Sequence, residues 1–302
     1  MQVKLLLFAI SKSLRNQGIS MKRPTTKFVT SDNGVKVAAH DYGGDGKPTL
    51  FVHGTGLVSR MWEPIIDGIG EEFRAICIDL RAHGATKSPE NVDFFEDRMV
   101  ADLTSVVDEL ELRKAWIVGH SMGGATSILT SLNRRDAFTK AWVYEPIIFE
   151  RTDHLPPGSF DFVEATKRRR SIFGSRQEAI DRYGSRPPLD ELARECLEAY
   201  VQYGFVDLPD GSVQLACDPQ LESRAFEQFL QQGWEQLPKV DIDVLVAYGA
   251  DGKERSSIAA PAIAERLPKG VPQRFDRADH FGCFGRVNEV VASLRNWFLG
   301  NK

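Results

Sequence analysis

Apolar residues in this chain gather into short blocks of β character, separated by longer stretches with helical spacing. The clearest blocks are TLFVHG (49–54), FRAICIDL (73–80), AWIVGH (115–120), KAWVYEP (140–146) and DVLVAYG (243–249). Polar alternation within them is weak, as expected of strands buried on both faces. A less apolar block, PQRFDRADH (272–280), is the last candidate strand. Near the start, KFVTSDNGVKVAAHDYG (27–43) reads as two short strands joined at Asp32-Asn33-Gly34, a favourable hairpin turn. The clearest helix is FFEDRMVADLTSVVDELEL (94–112), with Met99, Leu103, Val106, Val107 and Leu110 on one face. Strand and helix in alternation predict an α/β fold with a mostly parallel sheet flanked by helices.

The rhythm breaks between residues 148 and 237. FVEATKRRRSIFG, RQEAIDRYG, LDELARECLEAYVQYG and LESRAFEQFLQQGW are charged and helical in spacing, and no strand pattern is legible until Asp243. About ninety residues is too long for a loop in a compact domain. The segment is therefore expected to be a helical cap (148–237), inserted into a core made of 21–147 and 238–302. Ligands bind at the carboxyl edge of parallel sheets, so an insertion there reads as a lid. Its many aromatic residues are expected to serve mainly as the cap's own core, and the KRRR run (167–170) as a solvated helix face. Residues 1–20 contain one short apolar run, Leu5 to Ile10, far below the roughly 20 residues of a membrane span. They read as a flexible N-terminal extension.

Composition adds exclusions. A chain of 302 residues with a net charge of −4 has no basic footprint for nucleic acid. Cys77, Cys196, Cys217 and Cys283 lie far apart and lack metal-ligand spacing, which suits reduced thiols in a cytoplasmic protein. No metal and no cofactor are expected, and the partner called for is a small-molecule substrate. The oligomeric state is not legible.

The candidate chemistry starts at Gly119-His120-Ser121-Met122-Gly123, which follows the apolar run AWIV and precedes a potential helix. Strand, sharp turn and helix around G-x-S-x-G form a nucleophile elbow, in which the turn thrusts the serine hydroxyl above the sheet edge. Glycines two residues to either side remove side chains that would strike the neighbouring strand and helix.

With these features the chain resembles the α/β-hydrolase superfamily, in its serine-nucleophile branch with a helical cap. HGTG (53–56) resembles the family's oxyanion loop, DLRAHG (79–84) its post-strand turn and GHSMGG (119–124) its elbow. The likeness runs from about residue 27 to 300, except in the cap. It implies Ser121 as nucleophile and the backbone N–H groups of Thr55 and Met122 as oxyanion donors. The family's chain order of serine, acid, histidine leaves His154 and His280 as bases. His280 is preferred, because it sits just after the last strand, whereas His154 opens the cap. His40 precedes the elbow. His53, His83, His120 and Arg81 are expected to brace the loops.

The acid has two candidates. Most of the family carries it after the penultimate strand in a G-x-x-D pattern, but here Gly252 stands at that position and Asp251 is one residue early. A minority, including the zearalenone-lactonase type, places a glutamate after the strand that follows the elbow, which here is Glu145. Glu145 is preferred, and Asp251 remains the alternative acid. The resulting expectation is a serine hydrolase that cleaves a carboxylic ester or lactone of a small to medium, partly apolar substrate through an acyl-enzyme. The alternatives are hydrolysis of a C–C bond next to a carbonyl, or a ligand receptor with weak turnover. A serine at the elbow argues against epoxide hydrolases and haloalkane dehalogenases, which place an aspartate there.

Overall fold

The computed structural model describes residues 23–150, 159–228, 233–252 and 255–300. The proposed 1–20 extension and His154 lie outside the described residues. The first half of the chain forms β1 (Thr25–Thr30), β2 (Lys36–Asp41), β3 (Lys47–Val52), α1 (Glu63–Ile69), β4 (Phe73–Asp79), α2 (Glu96–Glu109), β5 (Ala115–His120), α3 (Met122–Asn133) and β6 (Phe138–Tyr144). The intervening segment forms α4 (Ser159–Lys167), β7 (Ile172–Phe173), α5 (Arg176–Tyr183), α6 (Arg194–Tyr203), β8 (Phe205–Asp207), β9 (Val213–Leu215), α7 (Pro219–Gln228) and α8 (Gly233–Gln236). The chain then closes with β10 (Asp243–Gly249), α9 (Arg255–Arg266), β11 (Gly270–Phe275), α10 (Gly282–Gly285) and α11 (Val287–Leu299).

Eight strands make one sheet in the order β1-β2-β4-β3-β5-β6-β10-β11. β2 pairs antiparallel with both β1 and β4, and every other neighbour is parallel. Side-chain alternation sorts the strand residues onto two cores. Leu50, Val52, Ile76, Ile78 and Ile117 face α2, α3 and α9 through Met99, Leu103, Ile128 and Ile263. Phe51, Cys77, Val118 and Trp142 face α1 and α11 through Ile65, Ile69, Leu294 and Phe298. Both faces are covered, which is why these strands read as continuous apolar blocks.

β11 is the exception because it is an edge strand. Its Val271 is exposed, so a less apolar sequence suffices there. The strand ends at Phe275, and the DRADH portion of the predicted block becomes a loop. At the other edge, the expected hairpin pairs Thr25 with Asp41 through Thr30 with Lys36. Its turn uses positive φ at Asn33 (56°) and Gly34 (78°).

The intervening segment is mostly helical and also contains three short strands. β7, β8 and β9 form a small antiparallel sheet of strands two or three residues long, too short to leave a periodic signature. The aromatic rings of Phe173 from β7 and Phe205 from β8 pack with those of Tyr183 and Tyr200 from α5 and α6. Within the KRRR run, Lys167 and Arg170 pair with Glu164 and Glu178, but Arg169 turns inward. Its guanidinium donates to both carboxylate oxygens of Glu222 at 2.9 and 2.8 Å and to the hydroxyls of Tyr183 and Tyr200.

The segment is seated on the carboxyl edge of the sheet. A Cβ on Gly56, in the loop after β3, would stand 2.2 Å from Oε1 of Glu222. The N–H of Ala193 donates to the carbonyl of Phe284 at 3.0 Å, and the N–H of Phe94 donates to the side chain of Gln228 at 2.7 Å. Among the described residues no helix is long and apolar enough to cross a membrane. No cysteine of the described chain is in a disulfide, and all four are buried.

Candidate active site

Four loops at the carboxyl ends of β3, β5, β6 and β11 meet at Ser121. The serine sits between β5 and α3 with φ 54° and ψ −119°, a conformation that costs a non-glycine residue ~1–3 kcal/mol. The surrounding backbone holds it there. Its N–H donates to the carbonyl of Tyr144 at 2.9 Å, and its carbonyl accepts from Ile147 N–H at 3.3 Å. The flanking glycines are required by space. A Cβ on Gly119 would meet Gly124 Cα at 2.7 Å, and one on Gly123 would meet the backbone oxygen of His53 at 2.3 Å.

His280 lies in the loop between β11 and α10. Its Nε2 is 3.1 Å from Ser121 Oγ, and its Nδ1 is 2.7 Å from Glu145 Oε2. Glu145 directly follows β6 with φ 44° and is fully buried. Its N–H donates to Ala247 of β10 at 2.9 Å, which ties the turn to the next strand. The carboxylate also accepts hydrogen bonds from Ser256 Oγ at 2.9 Å, Ser257 Oγ at 2.6 Å and Gly249 N–H at 2.9 Å. Burial pushes the Glu145 pKa up, but the hydrogen bond and charge of His280, with the bonds from Ser257 and Gly249, outweigh it and hold the group below its usual value. Asp251 is exposed, and its backbone N–H donates to Ala278 O at 3.0 Å. The place beside Nδ1 is occupied by Glu145 and Ser256 instead.

Thr55 and Met122 come together from the β3 loop and the start of α3. The Thr55 hydroxyl donates to Met122 Sδ at 3.3 Å, and a Cβ on Gly54 would stand 3.0 Å from Ser121 Cβ. Met122 is the first residue of α3, so its N–H belongs to the turn that has no intrahelical acceptor. The loop is held by histidines whose partners dictate their tautomers. His83 Nε2 accepts from Gly56 N–H at 2.9 Å while Nδ1–H donates to Arg81 O at 2.7 Å. His53 Nε2 accepts from Leu80 N–H at 3.0 Å while Nδ1–H donates to Gly54 O at 2.7 Å. His120 Nε2–H donates to the carbonyl of His280 at 2.8 Å. Burial lowers the pKa of all three, that of His83 to about 3, so they stand neutral.

The same edge carries a buried salt bridge, Arg81 to Asp102, with contacts of 2.7 and 2.9 Å. Asp79 accepts from Ser59 N–H, Ala85 N–H and His40, and these bonds pin the turn after β4. The bracing expected of His53, His83, His120 and Arg81 is thus met by specific bonds. Sequence reasoning missed Ser256 and Ser257, whose only signal was a pair of hydroxyls opening a helix. It also missed the inward turn of Arg169. Among the described residues no group of three or more His, Cys, Asp or Glu is placed to hold a metal ion.

A mostly parallel sheet of this strand order, with a serine on a strained strand-to-helix turn and a histidine after the last strand, defines an α/β hydrolase. A model of the alpha/beta hydrolase family matches residues 49–294, and the chain belongs to that family. It is 30% identical to a putative 2-succinyl-6-hydroxy-2,4-cyclohexadiene-1-carboxylate synthase of Bacillus subtilis, over 89% of this chain and 99% of that protein. It is 25% identical to the putative non-heme bromoperoxidase BpoC of Mycobacterium tuberculosis, over 87% of this chain and 98% of that one. The crystal structure of E-2-(acetamidomethylene)succinate hydrolase superposes with a TM-score of 0.76, covering 91% of this chain and 98% of its own at 19% identity. That last likeness is one of fold. Relatives named for such different reactions leave the bond that is cleaved to be argued from the site.

Proposed function

We propose that the protein is a serine hydrolase that cleaves a carboxylic ester or lactone, with Ser121 as nucleophile, His280 as base and Glu145 as acid. The observation that carries this reading is the unbroken hydrogen-bonded line from Ser121 Oγ through both nitrogens of His280 to Glu145, at 3.1 and 2.7 Å. A buried carboxylate at Nδ1 keeps the proton there, which leaves the Nε2 lone pair facing the hydroxyl. Ser121 Oγ attacks the carbonyl carbon as its proton passes to Nε2. The oxygen of the tetrahedral intermediate takes the N–H groups of Thr55 and Met122, while Glu145 steadies the imidazolium. On collapse, the C–O bond breaks and Nε2 returns its proton to the departing alkoxide. In a lactone that alcohol remains attached to the acyl chain. Water, deprotonated by Nε2, then attacks the acyl carbon; the C–Oγ bond breaks, Nε2 returns its proton to Ser121 Oγ, and the carboxylic acid leaves.

In this reading residues 148–237 act as the cap over Ser121 and open to admit a small to medium, partly apolar substrate. Their seating on the carboxyl edge, with Glu222 against Gly56 and Ala193 bonded to Phe284, supports that role. The test uses a fluorophosphonate probe and a panel of short nitrophenyl esters, lactones and vinylogous diketones. The expected outcome is labelling at Ser121 with ester or lactone turnover, both abolished in Ser121→Ala. Cleavage of the diketones alone would identify a C–C hydrolase. A folded wild-type protein that resists labelling would identify a ligand receptor.

A further inference from the structure

Ser256 and Ser257 open α9 side by side, both buried, and both reach Glu145. A carboxylate offers about four lone-pair sites, and here all four are used. Oε2 takes His280 Nδ1 and Ser256, and Oε1 takes Ser257 and Gly249 N–H. The two hydroxyls are not equivalent. Ser256 Oγ also stands 3.0 Å from His280 Nδ1. With its proton committed to Glu145, it turns its oxygen toward the ring and becomes a second acceptor for Nδ1–H. Both O–H dipoles offset part of the negative charge that the ring feels, but among the described residues Ser257 bonds only the far carboxylate oxygen, whereas the direct contact of Ser256 with Nδ1 outweighs that offset.

We infer that Ser256 and Ser257 are positioning residues that tune His280 in opposite directions, Ser256 strengthening its hold on an Nδ1 proton and Ser257 weakening the pull of Glu145. The inference rests on the proposed roles of Ser121, His280 and Glu145. The other titratable groups around the His280 loop are His120 from the end of β5, whose ring packs on that of His280, Tyr144 from β6, which bonds the backbone of the loop, Cys283 from α10 and Asp279 on the loop itself. The His120 ring lies 4.8 Å away and donates to the His280 carbonyl. The Tyr144 hydroxyl donates to Asp279 O, and the Asp279 carboxylate accepts from Phe281 N–H at 2.8 Å. Cys283 is a buried thiol whose pKa burial pushes up, so it stays neutral. Among described residues only Glu145, Ser256 and Ser121 bond the imidazole nitrogens.

The experiment measures kcat/KM for a nitrophenyl ester against pH in Ser256→Ala, Ser257→Ala and Ser256→Thr. It also records side-chain 15N spectra of the histidines, with His280 assigned by comparison with His280→Gln. Ser256→Ala loses one charge-assisted bond to the imidazolium. It is expected to lower kcat/KM about tenfold and move the acid limb to lower pH. Ser257→Ala is expected to move the same limb to higher pH. Ser256→Thr keeps the hydroxyl and is expected to restore the wild-type limb. The His280 Nδ1 resonance is expected to move in Ser256→Ala and recover in Ser256→Thr. Identical limbs and resonances in wild type and Ser256→Ala, or limbs that move the same way in both alanine variants, would overturn the inference. If wild type turns over no ester while the 15N resonances respond as described, the hydroxyl roles stand and the functional reading is what fails.

Discussion

Replacing Glu145 by glutamine tests the proposed acid most directly, because the hydrogen bonds around it dictate how the amide must sit. Gly249 N–H can only donate, so the position of Oε1 must keep an oxygen. The amide nitrogen is therefore forced to the Oε2 position, 2.7 Å from His280 Nδ1. Ser256 and Ser257 are hydroxyls and can rotate to suit it, but the imidazole must present a lone pair to the new N–H. Its proton moves to Nε2, the nitrogen 3.1 Å from Ser121 Oγ, which then has no lone pair to receive the serine proton. The wrong tautomer costs about 10⁴ in kcat in the serine-protease triad, equivalent to about 5 kcal/mol of transition-state stabilisation. KM is expected to change little, since the amide replaces the carboxylate atom for atom. Asp251→Asn, at an exposed position whose side chain is not among the described partners of the imidazole, is expected to leave kcat within about twofold. The assay is steady-state turnover of the best ester or lactone, with circular dichroism and thermal melts to verify folding. A collapse of kcat in Asp251→Asn with near-normal turnover in Glu145→Gln would refute the reasoning and return the acid to the position usual in the family.

Three further outcomes follow from the same geometry. Gly123→Ala drives a methyl to within 2.3 Å of His53 O and 2.6 Å of Val52 O, both backbone atoms. It should destabilise the fold by ~3 kcal/mol or more, read by urea unfolding, and an unchanged midpoint would mean the elbow is looser than described. His53, His83 and His120 have folded pKa values depressed by burial, so below about pH 6.5 the unfolded chain binds more protons than the native one. Their contribution is present above that pH and lost as pH falls, with His83 alone, lowered to about 3, removing about 2 kcal/mol between pH 7 and 5 and His53 and His120 acting in the same direction, and a flat profile over that range would contradict three buried neutral histidines. If the 148–237 segment gates the site, a bound phosphonate should slow limited proteolysis within it, and protection confined to other regions would argue against gating.

Sequence alone was enough for whatever depends on near neighbours along the chain. The apolar blocks marked strands because β3, β4, β5 and β6 are covered on both faces, and Gly-x-Ser-x-Gly marked the elbow because the steric demand of that turn falls on residues two positions away. It went further at Ser121 and His280, where motif and chain order named residues that the fold brings to 3.1 Å. Tertiary structure decided what joins distant segments. Glu145 and Asp251 both follow sheet strands, and only the adjacency of β6 and β10, with the strained turn at Glu145, directs one carboxylate to Nδ1 and leaves the other exposed. Arg169 sits in a run of four basic residues that reads as a solvated face, yet it turns inward to Glu222, 53 positions along the chain. β7, β8 and β9 are too short for two-residue periodicity to register, and Ser256 and Ser257 look like ordinary helix-start hydroxyls until Glu145 lies beside them. Hydrophobic period and turn chemistry are written locally, whereas the partner of a buried charge is chosen by which strands lie side by side.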